Sequence, residues 1–386
     1  MVIRRDSGAD KSPVIYNLFL LIEGPMKKLL LATAVAALSV SAAHAAPTVY
    51  GNVLLTTDYV DGNLTVKKDG NKLIDEDYST TQLNSTGSSN LTGSRIGFKG
   101  AEALTANTDL VYQLEYGIDV DADKGKNFRS RDTYIGLSNK QYGTLVAGRL
   151  SAIDDNINYA GQTVSLYDTY STGFSVEAAD EETADILGVK KGETVKFLAS
   201  WDGNRANNAL AYFSPSYNGL QFMGMYVMEE KNSTDLSTKS EAFGAGLKYE
   251  PTNQPFRAGA TYIKSSDFST ARVSGAFDVN AATTLGALYQ VTDLDKDKNE
   301  NLFTLSGSYA IPATKWKAYA QGDIVKNISG LDGLDGSRFV VGGKYGFNAA
   351  TTGHLYTGYS KIEFSEDGSD LDASGFGLGA GIEYKF

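Results

Sequence analysis

The chain consists of short segments in which apolar residues occupy every second position, and this periodicity limits the fold more than any other feature. The final segment shows it most clearly, because glycine or charged residues separate Phe376, Leu378, Ala380, Ile382, Tyr384 and Phe386. A period of two places apolar side chains on one face of a β-strand and small or polar ones on the other. No stretch after residue 45 is apolar for long enough to cross a membrane as a helix.

Sixteen segments of this kind follow residue 47, and their number and spacing predict a closed barrel. The predicted strands are 48–59, 92–100, 109–119, 129–138, 143–149, 199–214, 219–229, 240–250, 255–264, 270–279, 282–293, 301–310, 315–326, 336–347, 352–362 and 375–386. The short connections are 101–108, 139–142, 215–218, 251–254, 280–281, 311–314 and 348–350, and the long polar ones are 61–91, 150–198, 230–239, 326–336 and 365–374. Short turns at one end and long loops at the other are typical of outer-membrane barrels, whose closure satisfies the backbone within the membrane. We therefore predict an all-β fold, a transmembrane 16-stranded antiparallel β-barrel.

An apolar stretch near the N-terminus predicts export from the cytoplasm. Leu29–Ala43 follows Lys27-Lys28 and closes on Ala43-His44-Ala45. A basic region, an apolar region and a small-residue cleavage site together describe a secretory signal peptide. We expect residues 26–45 to be this signal peptide and residues 46–386 to be the barrel. Residues 1–25 fit no part of the pattern, so we interpret them as a mis-called upstream extension.

Composition argues against two classes of function. The net charge is −11, and residues 1–45 hold five of the 35 basic but only three of the 46 acidic side chains. The exported part is therefore more acidic still, which disfavours nucleic-acid binding. After residue 45 the chain has one histidine, His354, and no cysteine, so a nucleophile with its base and orienting acid is hard to build. We predict that the protein is not an enzyme.

One polar segment begins like a calcium-binding loop. Asp293, Asp295 and Asp297 alternate as in an EF-hand. The sixth position of that loop requires glycine and the twelfth is normally glutamate, whereas here they are Lys298 and Thr304. We therefore interpret the segment as a polar loop, and we predict no metal and no cofactor.

The cost of placing charge in lipid predicts which way the early strands face. If Ile96 and Phe98 face lipid, Arg95 and Lys99 face the lumen. The reverse register would place both cations in the apolar belt, at about 2–4 kcal/mol each near the midplane. The same argument predicts that five further side chains face inward, namely Gln113, Glu115, Arg129, Arg131 and Thr133. It predicts that Tyr134 faces outward.

Six motifs, taken in order, resemble segments of the general porins of Gram-negative bacteria. They are Ser94–Gly100, Tyr112–Tyr116, Phe128–Leu137, Gly143–Arg149, Arg205–Pro215 and the terminal strand ending at Phe386. The resemblance extends over essentially the whole chain after residue 45. It implies a homotrimeric, multi-pass channel in a Gram-negative outer membrane, surrounded by lipid and lipopolysaccharide, for passive diffusion of small hydrophilic solutes and ions. It also implies that the outer-membrane assembly machinery recognises the strand that ends at Phe386.

The resemblance further implies a basic wall at a pore constriction. In general porins, the positions that match Arg95 and Arg131 form a basic ladder at the narrowest point. Arg129 lies on the same predicted face as Arg131. Arg149 and Arg205 flank the loop that the family folds inward, so we include them in the predicted wall.

By the same resemblance, residues 150–198 are the third loop, which folds into the barrel and narrows it. Residues 150–193 contain nine acidic side chains and only two basic ones. We expect Asp154, Asp155 and Asp168 to face the arginine wall and to create a transverse field, because charged side chains around a pore set its ion selectivity. The net negative charge of the chain favours a mild preference for cations.

Two other functions are compatible with this sequence. The same barrel could be a substrate-specific channel with a ligand site in the lumen, which saturable conductance with one solute would indicate. It could also be a structural or adhesive surface protein, which an occluded barrel without conductance would indicate.

Overall fold

The computed structural model describes residues 47–85, 93–120, 128–167, 175–177, 194–196, 205–229, 241–266, 268–366 and 368–386. The expected upstream extension and signal peptide, and Asp168, lie outside these residues. No helix in the described part of the chain is long and apolar enough to cross a membrane.

Nineteen strands make up nearly all of the regular structure in the described residues. They are β1 Thr48–Lys68, β2 Asn71–Asn84, β3 Arg95–Ala103, β4 Thr108–Ile118, β5 Phe128–Asn139, β6 Gly143–Ser151, β7 Ser175–Glu177, β8 Thr194–Lys196, β9 Arg205–Phe213, β10 Leu220–Val227, β11 Ala242–Tyr249, β12 Phe256–Ser265, β13 Ser269–Asp278, β14 Thr283–Asp293, β15 Glu300–Ala310, β16 Trp316–Lys326, β17 Asp335–Gly346, β18 Thr351–Glu366 and β19 Ser369–Lys385. Of these, β7 and β8 pair only with each other, and the other 17 form one antiparallel sheet.

The sheet closes on itself through β1. One edge of β1 pairs with β19 from Asn52 to Lys68. The other edge pairs first with β3, at Thr48–Asn52, and then with β2, from Thr56 onward. Because β2 and β3 share one position in the wall, the wall has sixteen positions, and the predicted 16-stranded antiparallel barrel is confirmed.

Two segments that the sequence predicted as loops are mostly strand. β1 continues to Lys68, reverses at Asp69-Gly70, and returns as β2. Both turn residues have positive φ, 49° and 77°, and an Asp-Gly pair is a strong signal for such a two-residue turn. The prediction of a loop at 61–91 is therefore wrong over most of its length. The predicted loop at 365–374 is also wrong, because β18 and β19 meet there in a tight hairpin.

One end of the barrel has short strand connections, as predicted. The strand connections beside the chain termini are short, for example the turn in which Leu104 N–H donates to Thr108 O at 2.9 Å. We call this the lower end and the opposite end the upper end. The outer face of the wall is apolar, since Phe376, Leu378 and Ile382 are each about half exposed.

A β-bulge changes which side chains of β5 face the lumen. Leu114 on β4 pairs with Thr133, but Tyr116 pairs with Ser130, so β5 contains an extra residue opposite Glu115. The bulge shifts the alternation by one position. Thr133 therefore shares the outer face with Leu114, and Tyr134 faces inward, so the predicted orientations of these two side chains are wrong.

Candidate pore constriction

Residues 152–167, which we call the inner loop, leave the upper end of β6 and fold into the barrel. The loop begins with a short 3₁₀ helix, Ile153–Ile157. Ile153 and Ile157 are fully buried against a cluster on the inner wall that comprises Val146, Leu150, Ala209, Ala211, Met223, Met225 and Val227. Burying two isoleucines in this way contributes about 1.5–3 kcal/mol each. The first part of the loop is thus packed against the wall.

Glycines on the inner wall make room for the loop. A Cβ added to Gly259 would lie 2.3 Å from Cγ2 of Ile157, and one added to Gly244 would lie 2.9 Å from Cδ1 of Ile153. Further along the loop, Gly286 faces the backbone of Tyr159 in the same way. These glycines on β11, β12 and β14 therefore form a groove that a larger side chain would fill.

The first anchor of the inner loop is a buried ion pair. Arg272 on β13 lies with its Nη2 3.0 Å from Oδ2 of Asp154, and both side chains are almost completely buried. Its Nη1 also donates to the carbonyl oxygen of Asp154 at 3.1 Å and to the side chain of Asn158. On the wall, its Nε donates to Oε1 of Gln290 at 2.7 Å. Arg272 thus binds the loop through both backbone and side-chain groups.

The end of the inner loop is held by a second buried arginine. Arg338 on β17 donates to the carbonyl oxygen of Tyr167 at 2.9 Å. Its charge is balanced within the wall, because Nε and Nη2 lie 2.8 Å from Oδ2 of Asp323 on the neighbouring strand. Midway along the loop, Gln162 N–H donates to Oε1 of Gln321 at 2.9 Å.

Tyr167 itself reaches across two further strands. Its hydroxyl donates to the carbonyl oxygens of Gly358 at 2.6 Å and Gly377 at 3.2 Å. Tyr167 lies on the loop and not on a membrane-spanning strand, and burial raises the pKa of its phenol to about 12. The hydroxyl therefore remains a hydrogen-bond donor at physiological pH.

A polar cluster on β1 receives Ser165 of the loop. Oδ2 of Asp58 accepts hydrogen bonds from Ser165 at 3.2 Å and from Thr56 at 2.9 Å. Tyr356 donates to the other carboxylate oxygen. Asp58 is fully buried, so this network satisfies a carboxylate that would otherwise be costly to bury.

Together, these contacts show the path of the inner loop. It follows the inner wall from β10 through β19 to β1, and none of these contacts, all within the described part of the chain, involves the wall formed by β3, β4 and β5. On that wall, Arg131 Nε lies 2.6 Å from Oε1 of Glu115, and Arg95 Nε lies 4.0 Å from the other oxygen. Tyr50 donates its hydroxyl to the same carboxylate at 3.0 Å. The structure thus groups Arg95 with Arg131 around one acid, on the side of the lumen opposite the loop.

Arg129 and Arg205 form ion pairs with acids other than Glu115. Arg205 is paired with Asp132 at 2.7 Å, close to the start of the inner loop. Arg129 is half exposed near the upper end of β5 and is paired with Asp119 at 2.5 Å.

Arg149 lies on the outer face of the wall. It pairs in register with Thr133, which faces outward, and its side chain donates to Ser130 O at 3.1 Å and to Oδ1 of Asn207. Arg149 lies between Gly148 and Leu150, which face inward. The prediction that Arg149 lines the constriction is therefore wrong. The reason is the regular alternation along β6, in which Val146 and Leu150 face inward.

The predicted loop acids differ in their surroundings. Asp154 is neutralised by Arg272, so its role in the structure is to anchor the loop. Asp155, the next residue, is half-buried on the same 3₁₀ helix. Arg272, Arg338 and Asp58 were not predicted from the sequence. Each lies at an inward position of its strand and is followed by an outward apolar or aromatic residue, and this alternation was the signal that could have indicated them.

A closed barrel with an apolar outer face, a polar inner face and a loop folded across its lumen defines a membrane-spanning channel. The sequence pattern of the Gram-negative porin family matches residues 32–381. The chain therefore belongs to the Gram-negative porin family. It is an outer-membrane channel for passive diffusion and not an enzyme.

Individual relatives agree with this assignment. The major outer membrane protein P.IB of Neisseria sicca is 25% identical over 397 residues, which cover 94% of this chain and 100% of the relative. An outer membrane porin of Bordetella pertussis is 31% identical over 255 residues, which cover 61% of this chain and 59% of the relative.

Solved structures show the same fold. An anion-selective porin from Comamonas acidovorans matches with a TM-score of 0.63 and 18% identity, over 88% of this chain and 99% of that chain. The trimer form of in-vitro folded OmpT, an outer membrane protein of Vibrio cholerae, matches with a TM-score of 0.57 and 16% identity, over 88% of this chain and 100% of that chain.

Proposed function

We propose that this porin admits small hydrophilic solutes without a specific binding site, and that it selects them at an eyelet between the inner loop and the β3–β5 wall. The observation that carries the proposal is the path of the loop. Its described residues cover the inner wall from β10 to β1, and Arg95 and Arg131 lie on the β3–β5 wall, outside this covered part. A solute that crosses the barrel at this level passes these arginines.

The charges at the eyelet, and not the net charge of the chain, are proposed to set ion selectivity. Arg95 and Arg131 both contact the carboxylate of Glu115, and the two arginines are proposed as the positive side of the field across the pore. Asp155 is proposed as the negative side of the field, together with Asp168, which lies outside the described residues. Opposed charges across a narrow water-filled pore act at short range and are weakly screened, whereas charges on outer loops are screened by salt.

Conductance of the refolded protein in a planar bilayer, under a salt gradient, tests this function. We expect large steps with weak ion preference that no single solute blocks. In Arg95→Gln, the reversal potential should shift toward cation preference, because one of the two arginines has lost its charge. Arg149→Gln removes the same charge from the outer face and should leave the reversal potential unchanged, which makes it the matched control.

Other results would change the proposal. Small steps that one solute blocks would favour a substrate-specific channel, and the absence of conductance would favour a structural or adhesive barrel. Equal shifts in Arg95→Gln and Arg149→Gln would show that total charge, and not the eyelet, sets selectivity.

Assembly and surroundings are also proposed. We infer a homotrimer embedded in outer-membrane lipid and lipopolysaccharide, supported by the family and by the trimeric form of one structural neighbour. The backbone of Phe386 exchanges hydrogen bonds with Gly51, 2.9 and 3.1 Å long, so the last residue closes the barrel seam. This position supports the proposal that the assembly machinery recognises the terminal strand. Cross-linking of the purified protein should give three subunits per particle.

The precursor is proposed to lose residues 26–45 as a signal peptide, with translation starting at Met26. N-terminal sequencing of the protein purified from outer membranes should begin at Ala46. Detection of residues 2–25 in the precursor would contradict the proposed start.

A further inference from the structure

A second segment folds into the lumen at the upper end of the barrel. Residues Asn327–Leu334, which we call the mouth loop, connect β16 to β17 and contain a short 3₁₀ helix, Ile328–Gly330. The sequence predicted a polar loop here. In the structure, Ile328 and Leu334 are each only 1% exposed.

The mouth loop packs against the inner face of the wall. Its buried residues belong to a cluster formed by Val66, Leu288, Leu302, Val325, Ile362, Leu371 and Ala373, together with Ala160 of the inner loop. These strand residues face inward, as β16 illustrates, because Val325 is fully buried whereas its neighbour Ile324 is 50% exposed on the outer face. The cluster therefore fills the lumen above the inner loop along β14–β19 and β1.

Hydrogen bonds fix the backbone of the mouth loop in this position. Ile328 N–H donates to Leu334 O at 2.7 Å, which closes the loop on itself. Ser329 N–H donates to Oε2 of Glu300 at 2.9 Å, and Asn327 N–H donates to Oδ1 of Asp335 at 3.2 Å. Glu300 is itself buried, on β15. The loop is thus bound to the wall on both sides.

An apolar patch on the lumen wall is unusual for a channel of this class. Inward positions of porin strands normally face water and are polar, as they are in the β3–β5 wall. Here Leu288 on β14, Leu302 on β15 and Val325 on β16 occupy inward positions beside polar ones such as Gln290 and Asp323, and these three apolar side chains require a cover that excludes water. The mouth loop supplies this cover through Ile328 and Leu334.

We propose that the mouth loop is a fixed inner cap that confines the entrance of the channel to the side of β3–β13 and acts as a second size filter above the eyelet. The proposal rests on the proposed diffusion function, because a filter has meaning only in a conducting barrel. It adds that the apolar cluster of the cap, and not the eyelet alone, limits the size of the solutes that enter.

A loop deletion tests the cap directly. Removing residues 328–333 and changing Leu334→Gly leaves Asn-Gly between β16 and β17, a two-residue turn suited to a hairpin. We expect roughly a twofold rise in single-channel conductance, since the entrance widens. In liposome swelling, sugars too large for the unmodified channel should enter. Ion selectivity should stay unchanged, because the eyelet charges are intact.

Point variants control for general damage to the loop. Leu334→Ser places a hydroxyl in the apolar cluster and should let water into the cap, which raises current noise and the swelling rate with large sugars. Asp332→Ser changes an exposed position two residues away, whose ion pair with Lys298 is at the surface, and should behave like the unmodified channel. Barrel folding of each variant is checked by heat-modifiable gel mobility.

The outcomes separate this inference from the proposed function. If the unmodified protein does not conduct, the diffusion function fails and the cap filters nothing. If the unmodified protein conducts, and the folded deletion variant has the same conductance and the same size limit, the function stands and the cap is overturned.

Discussion

Arg272 and Asp154 are separated by 118 residues in sequence, yet they form an ion pair with 3.0 Å between Nη2 and Oδ2, in which both side chains are almost fully buried. The wall partner of Arg272, Gln290, is neutral, so the loop provides the negative charge. At the other end of the loop, Arg338 is balanced by Asp323 of the wall and contacts the loop only through a carbonyl oxygen. A change in the loop can therefore remove the carboxylate that pairs with Arg272, whereas the carboxylate that pairs with Arg338 is part of the wall.

The first prediction concerns the Arg272–Asp154 pair. Asp154→Asn should destabilise the barrel more than the double variant Asp154→Asn with Arg272→Gln, because the single change leaves a buried cation without its counter-charge. Removing one partner of a buried pair costs about 3–5 kcal/mol, and hydration of the remaining charge by water in the lumen reduces this cost. Thermal unfolding of the two variants and of Arg272→Gln completes a double-mutant cycle. Additive losses would show that the two charges are not coupled.

The second prediction concerns the groove that holds the inner loop. Gly259→Ala should displace the loop, because the new Cβ would lie 2.3 Å from Cγ2 of Ile157, and such overpacking costs about 1–3 kcal/mol. We expect lower thermal stability and noisier single-channel current. Adding Ile157→Ala should restore quiet conductance by making space. Gly224→Ala, where the nearest atom is 4.0 Å away, is the control and should have no effect. A quiet Gly259→Ala channel would contradict the groove.

The third prediction concerns the pH dependence of the Tyr167 contact. Its phenol has a pKa of about 12 in the folded state, raised from 10.0 by burial. A raised pKa means that the folded state holds the proton more tightly, so this stability is complete below pH 10 and is lost as the pH rises through 12. Tyr167→Phe should be less stable than the unmodified protein at pH 8, and the difference should shrink at strongly alkaline pH. A constant difference across that range would disprove the assignment.

The fourth prediction concerns the acid that Arg95 and Arg131 share. Glu115→Gln should shift the reversal potential toward anion preference, because the carboxylate that both arginines contact then loses its negative charge. This shift in reversal potential should be larger at low salt, where screening of the charges is weaker. Glu102→Gln, an exposed change at the lower end of β3, should leave the reversal potential unchanged. Identical potentials for the unmodified protein and Glu115→Gln would place the selectivity elsewhere.

The alternation of apolar and polar residues was sufficient to predict the barrel and the outer face of most strands. Alternation has a period of two in any extended strand, and lipid penalises charge, so the inward direction of Arg95 and Glu115 followed without knowledge of any partner. The short turns at the lower end followed from the same periodicity, because each apolar segment stopped where its polar connection began.

The contacts inside the lumen could be identified only from the three-dimensional structure. The bulge in β5 depends on how β4 and β5 pair, and it reversed Thr133 and Tyr134. The identification of Arg272 and Arg338 as anchors depends on contacts between residues more than 100 positions apart, which the pattern along a single strand does not record. The apolar cluster beneath the mouth loop likewise forms only once seven wall residues from six strands come together. Local periodicity fixes which face a side chain occupies, whereas its partner depends on the closure of the barrel.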